Sequence, residues 1–207
     1  MYLTRNPKFV KLLYPDMIWN IRVNEKVIFL TFDDGPDPKA TLDALNLLAK
    51  YQARATFFCV GEKAQKYPEI IQQILKAGHI IGNHSHKHLN GRKTASEIYI
   101  SDILNAAEVL NTRLFRPPYG RITSKQVKAI KLDFKIIMWT VLPGDFDQSI
   151  SRETVLNRCI KNTKSGDIIV LHDNPKFYDT MIYALEGTLD HFSKAGFKFA
   201  ALEDKYL

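Results

Sequence analysis

The sequence predicts an α/β protein, folded as an irregular (β/α)7-type barrel in a single domain. Short β-rich apolar runs alternate with segments of helical spacing roughly seven times along the chain. Such alternation implies parallel strands joined by right-handed crossovers. The 207 residues hold about seven of these units, which is fewer than the eight of the usual barrel. In barrels of this type the chemistry collects at the carboxyl ends of the strands.

The elements follow one another with recognisable start and stop signals. The first strand, 27–32, is uniformly apolar up to Thr31, and a helix over 39–51 follows with leucines at helical spacing. Pro68 opens the next helix and Gly78 stops it. Capping-box patterns beginning at Thr94 and Thr123 start helices that run to about residues 110 and 130. The other predicted strands lie at 55–60, 79–82, 114–116, 135–139, 167–171 and 197–200, and the other helices at 152–162 and 180–194.

Composition supports one well-buried domain, because 45% of the residues are hydrophobic and no low-complexity linker divides the chain. We assign residues 26–207 to this domain and residues 1–25 to an N-terminal extension. The extension is expected to pack on the domain through Leu12, Leu13, Ile18 and Trp19. The net charge of +7 favours anionic partners such as wall polymers. The basic residues are scattered, however, which argues against a nucleic-acid partner.

The remaining composition signals concern redox state and location. Cys59 and Cys159 lie in apolar stretches without a CxxC motif, which favours two buried free thiols over a disulfide between them. No segment approaches the ~20 apolar residues of a spanning helix. Lys11 interrupts the apolar core that a secretory leader needs. The location is therefore left open between cytoplasm and cell envelope, and we expect a monomer.

Two adjacent carboxylates, Asp33 and Asp34, close the first strand before Gly35 and Pro36 turn the chain. Two like charges held close together disfavour each other's ionisation. A cation between them, or a division of labour into metal ligand and base, removes that conflict. The alternative is a solvated acidic loop that caps the following helix.

Three histidines follow the third predicted strand, and His84 and His88 have the spacing that places two imidazoles on one side of a helical turn. Imidazoles plus one carboxylate suit a divalent ion with an open position for water. Asp34 is the obvious third ligand, whereas His86 points away on this geometry. The alternative is a polar loop that happens to contain histidines.

Later strand ends carry matching chemistry. Arg116 and the Tyr119 N–H are fixed by the two prolines between them, so that they can hold a carboxylate and serve an oxyanion. A stretch from Trp139 to Asp147 combines aromatics with acids after the fifth strand. His172 emerges at the end of the sixth strand, where a general acid is useful. Each feature alone would more often be structural.

The four stretches TFDDG, HSxxH, RPPYG and LHD, in this order, resemble the polysaccharide deacetylases of carbohydrate esterase family 4, the NodB-homology domain. The resemblance covers residues from about 26 to 207. It implies a divalent metal held by Asp34, His84 and His88, most often Zn²⁺, with Co²⁺, Mn²⁺ or Ni²⁺ open. It also implies the following roles: Asp33 as catalytic base, Arg116 orienting Asp33, the Tyr119 N–H in the oxyanion hole, His172 as general acid, Asp145 tuning His172, and Leu171, Phe146 and Trp139 lining the substrate pocket.

One motif departs from the family pattern of two acids followed by tryptophan. Leu142 stands at the first acid and Phe146 at the tryptophan, while Asp145 keeps the second acid. The resemblance implies removal of N-acetyl groups from a peptidoglycan- or chitin-type polymer of N-acetylglucosamine by metal-activated water. The alternatives are an O-acetyl esterase acting on a xylan-like glycan and a metal-containing carbohydrate-binding domain that has lost catalysis.

Overall fold

A curled sheet of parallel strands, flanked by helices, forms the body of the molecule in a computed structural model that describes residues 2–7 and 9–207. Met1 and Lys8, which fall within the predicted extension, lie outside the described residues. The strands are β1 Met17–Ile18, β2 Val27–Asp33, β3 Ala55–Cys59, β4 Ile80–Asn83, β5 Leu114–Phe115, β6 Lys135–Ile137, β7 Ile168–His172 and β8 Lys198–Phe199. The helices are α1 Val10–Leu13, α2 Ala40–Lys50, α3 Gly61–Lys66, α4 Pro68–Lys76, α5 Ser96–Leu110, α6 Ser124–Ile130, α7 Arg152–Asn162 and α8 Tyr178–Lys194.

The strand order is β1-β6-β5-β4-β3-β2-β7, and β8 pairs with the start of β2. The paired strands run parallel, so their carboxyl ends meet along one edge of the curled sheet. This half-closed arrangement confirms the predicted single-domain α/β fold of (β/α)7 type. In register, the last residue of β2, Asp33, lies beside Phe58 of β3 and His172 of β7.

Strand β2 is buried on both faces, as expected of a central parallel strand. Ile28, Leu30 and Phe32 belong to the core between the sheet and its helices. Val27 and Phe29 alternate with them and pack inside the curl of the sheet. The strand's alternation therefore directs its odd-numbered residues, Thr31 and Asp33 included, towards the inside of the curl.

Local differences from the sequence expectations have identifiable causes. Helix α3 was not predicted, because its six residues are too few to show a helical period. The capping box beginning at Thr94 is wrong, since Ala95 is the N-cap of α5 and makes no side-chain cap bond. The capping box at Thr123 is confirmed: its side chain accepts from the Gln126 N–H, and the Gln126 side chain accepts from the Thr123 N–H.

The N-terminal segment packs differently from the expectation. Leu12 and Leu13 are 82% and 65% exposed, so the predicted packing through them is wrong, whereas Trp19 is buried. Ile18 packs against the core inside the curl, and its strand β1 pairs with β6. Residues 2–6 add hydrogen bonds to the loop after β6. The division of the chain after residue 25 stays a prediction. Cys59 and Cys159 are buried free thiols, and none of the described helices is long and apolar enough to cross a membrane.

Candidate active site

Asp33 and Asp34 both reach the mouth of the curled sheet, although neighbours in a strand normally face opposite ways. Asp33 ends β2 and points inward, in step with the strand's alternation. Asp34 has φ 80°, a left-handed conformation that interrupts the alternation. The next residue, Gly35, donates its N–H to the buried carboxylate of Asp173 at 3.0 Å. A Cβ on Gly35 would lie 2.1 Å from Oδ2 of Asp173, so the turn requires glycine.

Arg116 holds Asp33 from inside the sheet. Its fully buried guanidinium donates from Nη1 to Oδ1 of Asp33 and to Oγ1 of Thr31, both at 2.7 Å. The other nitrogens donate to the carbonyls of Ile137 and Met138. The ion pair fixes one oxygen of Asp33, and the second oxygen, Oδ2, faces His84 Nε2 at 3.9 Å.

His84, His88 and Asp34 offer ligand atoms that all lie within 4.8 Å of one another. The Oδ1 atom of Asp34 lies 3.1 Å from His88 Nε2 and 3.7 Å from His84 Nε2. Donors around a tetrahedral zinc ion, at about 2.0–2.1 Å from it, stand roughly 3.3 Å apart. The set therefore fits a divalent ion.

The two imidazoles meet through an irregular loop and not through the helical turn that their spacing suggested. The segment after β4 has no helix, and Ser85 and His88 adopt left-handed φ values of 61° and 56°. His86 takes no part in the cluster, as expected. Its backbone N–H donates to the buried carboxylate of Asp102 at 3.0 Å, which anchors the loop.

Hydrogen bonds at the opposite ring atoms leave Nε2 of each histidine directed at Asp34. His84 Nδ1 lies 2.9 Å from the Arg116 carbonyl, and His88 Nδ1 lies 3.1 Å from the Tyr119 hydroxyl. Such outer contacts orient imidazole ligands and fix their tautomer. Asn174 donates to Oδ2 of Asp34 at 3.1 Å, which leaves Oδ1 to the histidines.

The charges of this cluster favour metal binding. Burial lowers the pKa of His84 to about 4, which keeps its imidazole neutral and able to act as a ligand. Burial alone would raise the pKa of Asp34, but the hydrogen bond to His88 and the nearby imidazoles of His172 and His84 lower it well below the ordinary range. A neutral imidazole beside an ionised carboxylate is the protonation state that a divalent ion requires.

His172, on β7, pairs in register with Asp33 on the neighbouring strand β2. Two hydrogen bonds to Asp145 hold it in place. The Asp145 carboxylate, 2% exposed, lies 2.9 Å from His172 Nδ1 and accepts the His172 backbone N–H at 2.6 Å. Burial would lower the pKa of His172, but Asp145, helped by Asp34 and Asp33, raises it to about 9. The imidazole can therefore carry a proton at neutral pH and release it to a reacting group.

A cleft of about 660 Å³ opens at the mouth of the sheet and is lined by Asp33, Asp34, His84, His88 and His172. Trp139, Leu142 and Phe146 lie on its apolar side. The assignment of Trp139 and Phe146 to the substrate pocket stays a prediction. Leu171, placed in this pocket from the sequence, is instead fully buried in the core beneath the helices. Its neighbour Val170 lines the cleft, because alternate residues of β7 face the inside of the curl.

Several cleft residues were missed by sequence reasoning. Tyr2 lines the apolar side of the cleft, and Lys63 donates to the Asp34 carbonyl at 2.6 Å. Neither residue belongs to a motif, so no local signal marks them. Asn174 also lines the cleft, and its polar side chain shortly after a buried strand was the one signal that pointed to it.

The fold and this cleft define a class of protein: a parallel-stranded barrel-type α/β protein with a candidate metal-ligand set beside an arginine-held carboxylate and a carboxylate-held histidine. A family model described as polysaccharide deacetylase matches residues 20–135. The chain belongs to this family, which confirms the resemblance drawn from the four motifs.

Known relatives agree with this membership. A peptidoglycan-N-acetylglucosamine deacetylase of Bacillus cereus is 37% identical over 193 residues, which cover 90% of this chain and 91% of that protein. A chitooligosaccharide deacetylase of Azorhizobium caulinodans is 35% identical over 161 residues, 74% of this chain and 76% of that protein. The crystal structure of the Bc1960 peptidoglycan N-acetylglucosamine deacetylase superposes with a TM-score of 0.86 at 31% identity, covering 95% of both chains.

Proposed function

We propose that this protein hydrolyses N-acetyl groups on a peptidoglycan- or chitin-type polymer of N-acetylglucosamine, with a divalent ion bound by Asp34, His84 and His88. The observation that carries the proposal is the placement of Asp33 and His172 as neighbours across β2 and β7, beside the ligand set. Relatives named for peptidoglycan and for chitooligosaccharide support the substrate class. The net charge of +7 favours the anionic polymer of the two, peptidoglycan.

Asp33 is suited to be the general base. Arg116 holds its Oδ1 at 2.7 Å, while Oδ2 points towards the ligand cluster. The carboxylate is fixed by a fully buried partner, so its free oxygen has one orientation when it takes the proton of the attacking water. The bound divalent ion would supply Lewis-acid polarisation of that water and of the acetyl carbonyl, with zinc the first choice and cobalt, manganese or nickel compatible with the same ligands.

His172 is suited to be the general acid. An amide nitrogen leaves as an amine only if it receives a proton, and Asp145 raises the pKa of His172 to about 9 after burial is counted. We assign the developing oxyanion to the backbone N–H of Tyr119, and the position of Tyr119 in the cleft, with a left-handed φ of 59°, supports this role. Trp139, Phe146 and Val170 then form the apolar surface for the acetyl methyl, with Val170 taking the place first given to Leu171.

Acetate release tests this proposal. Purified protein, stripped with chelator and reloaded with zinc, cobalt, manganese or nickel, should release acetate from peptidoglycan or chitooligosaccharides only when metal is present. Asp33→Asn and His172→Ala should each lower kcat on the amide by on the order of 10²–10⁴-fold. On an acetyl ester, whose leaving group needs less protonation, His172→Ala should have little effect. Wild-type turnover in both variants, or no acetate from any glycan with any metal, would reject the assignment.

A further inference from the structure

Tyr2 forms part of the apolar side of the cleft. Its ring centroid lies 5.1 Å from that of Phe146, and the Phe146 centroid lies 5.1 Å from that of His172. Tyr2 lines the same cleft as Asp33 and His88. Three rings therefore run in sequence from the general acid to the N-terminal segment.

The Tyr2 side chain is held at its polar end by two partners. Its hydroxyl donates to Oδ2 of Asp147 at 3.0 Å and accepts from Nη1 of Arg158 at 2.9 Å. Arg158, on helix α7, also donates to the Pro143 carbonyl at 3.1 Å. With its hydroxyl bonded on both sides, the ring has little freedom to turn away from Phe146.

The backbone around Tyr2 is tied to the loop that carries the apolar residues of the cleft. The Leu142 N–H donates to the Thr4 carbonyl at 2.8 Å, and the Asn6 N–H donates to the Thr140 carbonyl at 2.9 Å. Arg5 pairs antiparallel with Val141, and its guanidinium forms an ion pair with the buried Asp167. Residues 2–6 thus run along residues 139–142, the loop that carries Trp139 and Leu142 of the cleft.

The loop also leaves room for the Tyr2 hydroxyl. Gly144 has φ 91°, and a Cβ built there would lie 2.0 Å from the Tyr2 oxygen. Any side chain at this position would push the phenol out of its place. The contact between Tyr2 and the loop therefore has close steric complementarity.

We infer that Tyr2 is a specificity-determining residue, which limits the acyl group of the substrate to a short chain by backing Phe146 and closing the apolar end of the cleft. The inference rests on the proposed deacetylase function. An acyl chain with extra methylenes would have to displace Phe146 towards Tyr2. The two hydrogen bonds and the paired backbone prevent Tyr2 from yielding, so the longer chain is excluded by shape.

Competition between acyl groups tests the inference. Glucosamine oligomers carrying N-acetyl, N-propionyl or N-butyryl groups are incubated with the metal-loaded protein, and the released acids are measured. The wild type should prefer acetyl over propionyl in kcat/KM by roughly 10- to 200-fold, the range expected for one methylene in an apolar pocket. Tyr2→Ala should reduce that ratio by about tenfold. Tyr2→Phe keeps the ring but loses both hydroxyl bonds, so its ratio should lie between those of the wild type and Tyr2→Ala.

Two further variants distinguish the effect of the Tyr2 contact from a general effect of mutating the N-terminal segment. Tyr14→Ala removes a tyrosine of the same N-terminal segment that lines no part of this cleft, and should leave the ratio unchanged. Arg158→Met removes one anchor of Tyr2 from outside the cleft and should relax the ratio partly. If thermal unfolding shows that Tyr2→Ala does not fold, the acetyl-to-propionyl ratio of Arg158→Met tests the inference in its place. A ratio equal to that of the wild type would then overturn it.

The outcomes are distinguishable. An acetyl-to-propionyl ratio in Tyr2→Ala equal to that of the wild type overturns the inference while leaving the deacetylase function intact. A wild type that hydrolyses none of the three oligomers overturns the proposed function itself.

Discussion

Replacing Asp145 with asparagine tests how the site sets the acidity of His172. The substitution keeps the size of the side chain but removes the negative charge 2.9 Å from His172 Nδ1. In the native site the pKa of His172 rises from 6.5 to about 9, with Asp145 as the leading contribution that opposes burial. This rise corresponds to about 3 kcal/mol in favour of the imidazolium. Without Asp145, burial should bring the pKa of His172 back to its ordinary value or below.

The sign of the pH dependence follows from this shift. Because the folded-state pKa is raised, the stabilisation is complete below pH 6.5 and disappears as the pH rises through about 9. Asp145→Asn should therefore destabilise the metal-free protein by up to about 3 kcal/mol near pH 6 and very little above pH 9. In the proposed mechanism the amide nitrogen receives its proton from His172, so the alkaline fall of kcat should move to lower pH in the variant.

The assay is an NMR titration of the His172 imidazole in metal-free protein, paired with the pH profile of kcat in the metal-loaded enzyme. Asp147→Asn is the matched control, because it removes an equal charge two residues along the same loop, where the carboxylate bonds to Tyr2 and Ser149 instead. The control should leave the pKa of His172 unchanged. A pKa of His172 in Asp145→Asn equal to the wild-type value would show that Asp145 does not set the acidity of this imidazole.

Two other substitutions probe the supports of the site. Tyr119→Phe keeps the backbone N–H and loses the bond to His88 Nδ1, so zinc affinity should fall by about tenfold. This value is near the low end for such outer contacts, because Tyr119 is 62% exposed. Competition with a chromophoric chelator measures the affinity. Unchanged affinity would show that the hydroxyl does not orient His88. Arg116→Met leaves Asp33 buried without its partner and should lower the free energy of unfolding in urea by about 3–5 kcal/mol. Arg54→Met, which breaks an exposed pair with Glu203, should lower it by at most about 1 kcal/mol, and equal losses in the two variants would contradict the argument.

Strand and helix order was readable from the sequence because hydrophobic period and start signals are local. The central strand was placed to within one residue, and the helix over 152–162 matched at both ends. The gathering of Asp34, His84 and His88 at one place was predictable for a related reason: the chemistry-bearing residues follow strands, and parallel strands end at one edge. Helix α3 was not predicted, because its six residues are too few to show an apolar period.

The sequence by itself determined the order of the strands along the chain, the family and the residues that gather at the mouth of the sheet. Only the tertiary structure decided that Asp34 turns into the mouth through a left-handed residue, that Val170 and not Leu171 faces the cleft, and that Tyr2 supports Phe146. The first depends on the backbone angle of Asp34 and on a hydrogen bond to its carboxylate from Asn174, which lies 140 residues away in the chain. The others depend on which face of a strand meets the cleft and on pairs of segments far apart in the chain, and such packing leaves no mark in any local pattern.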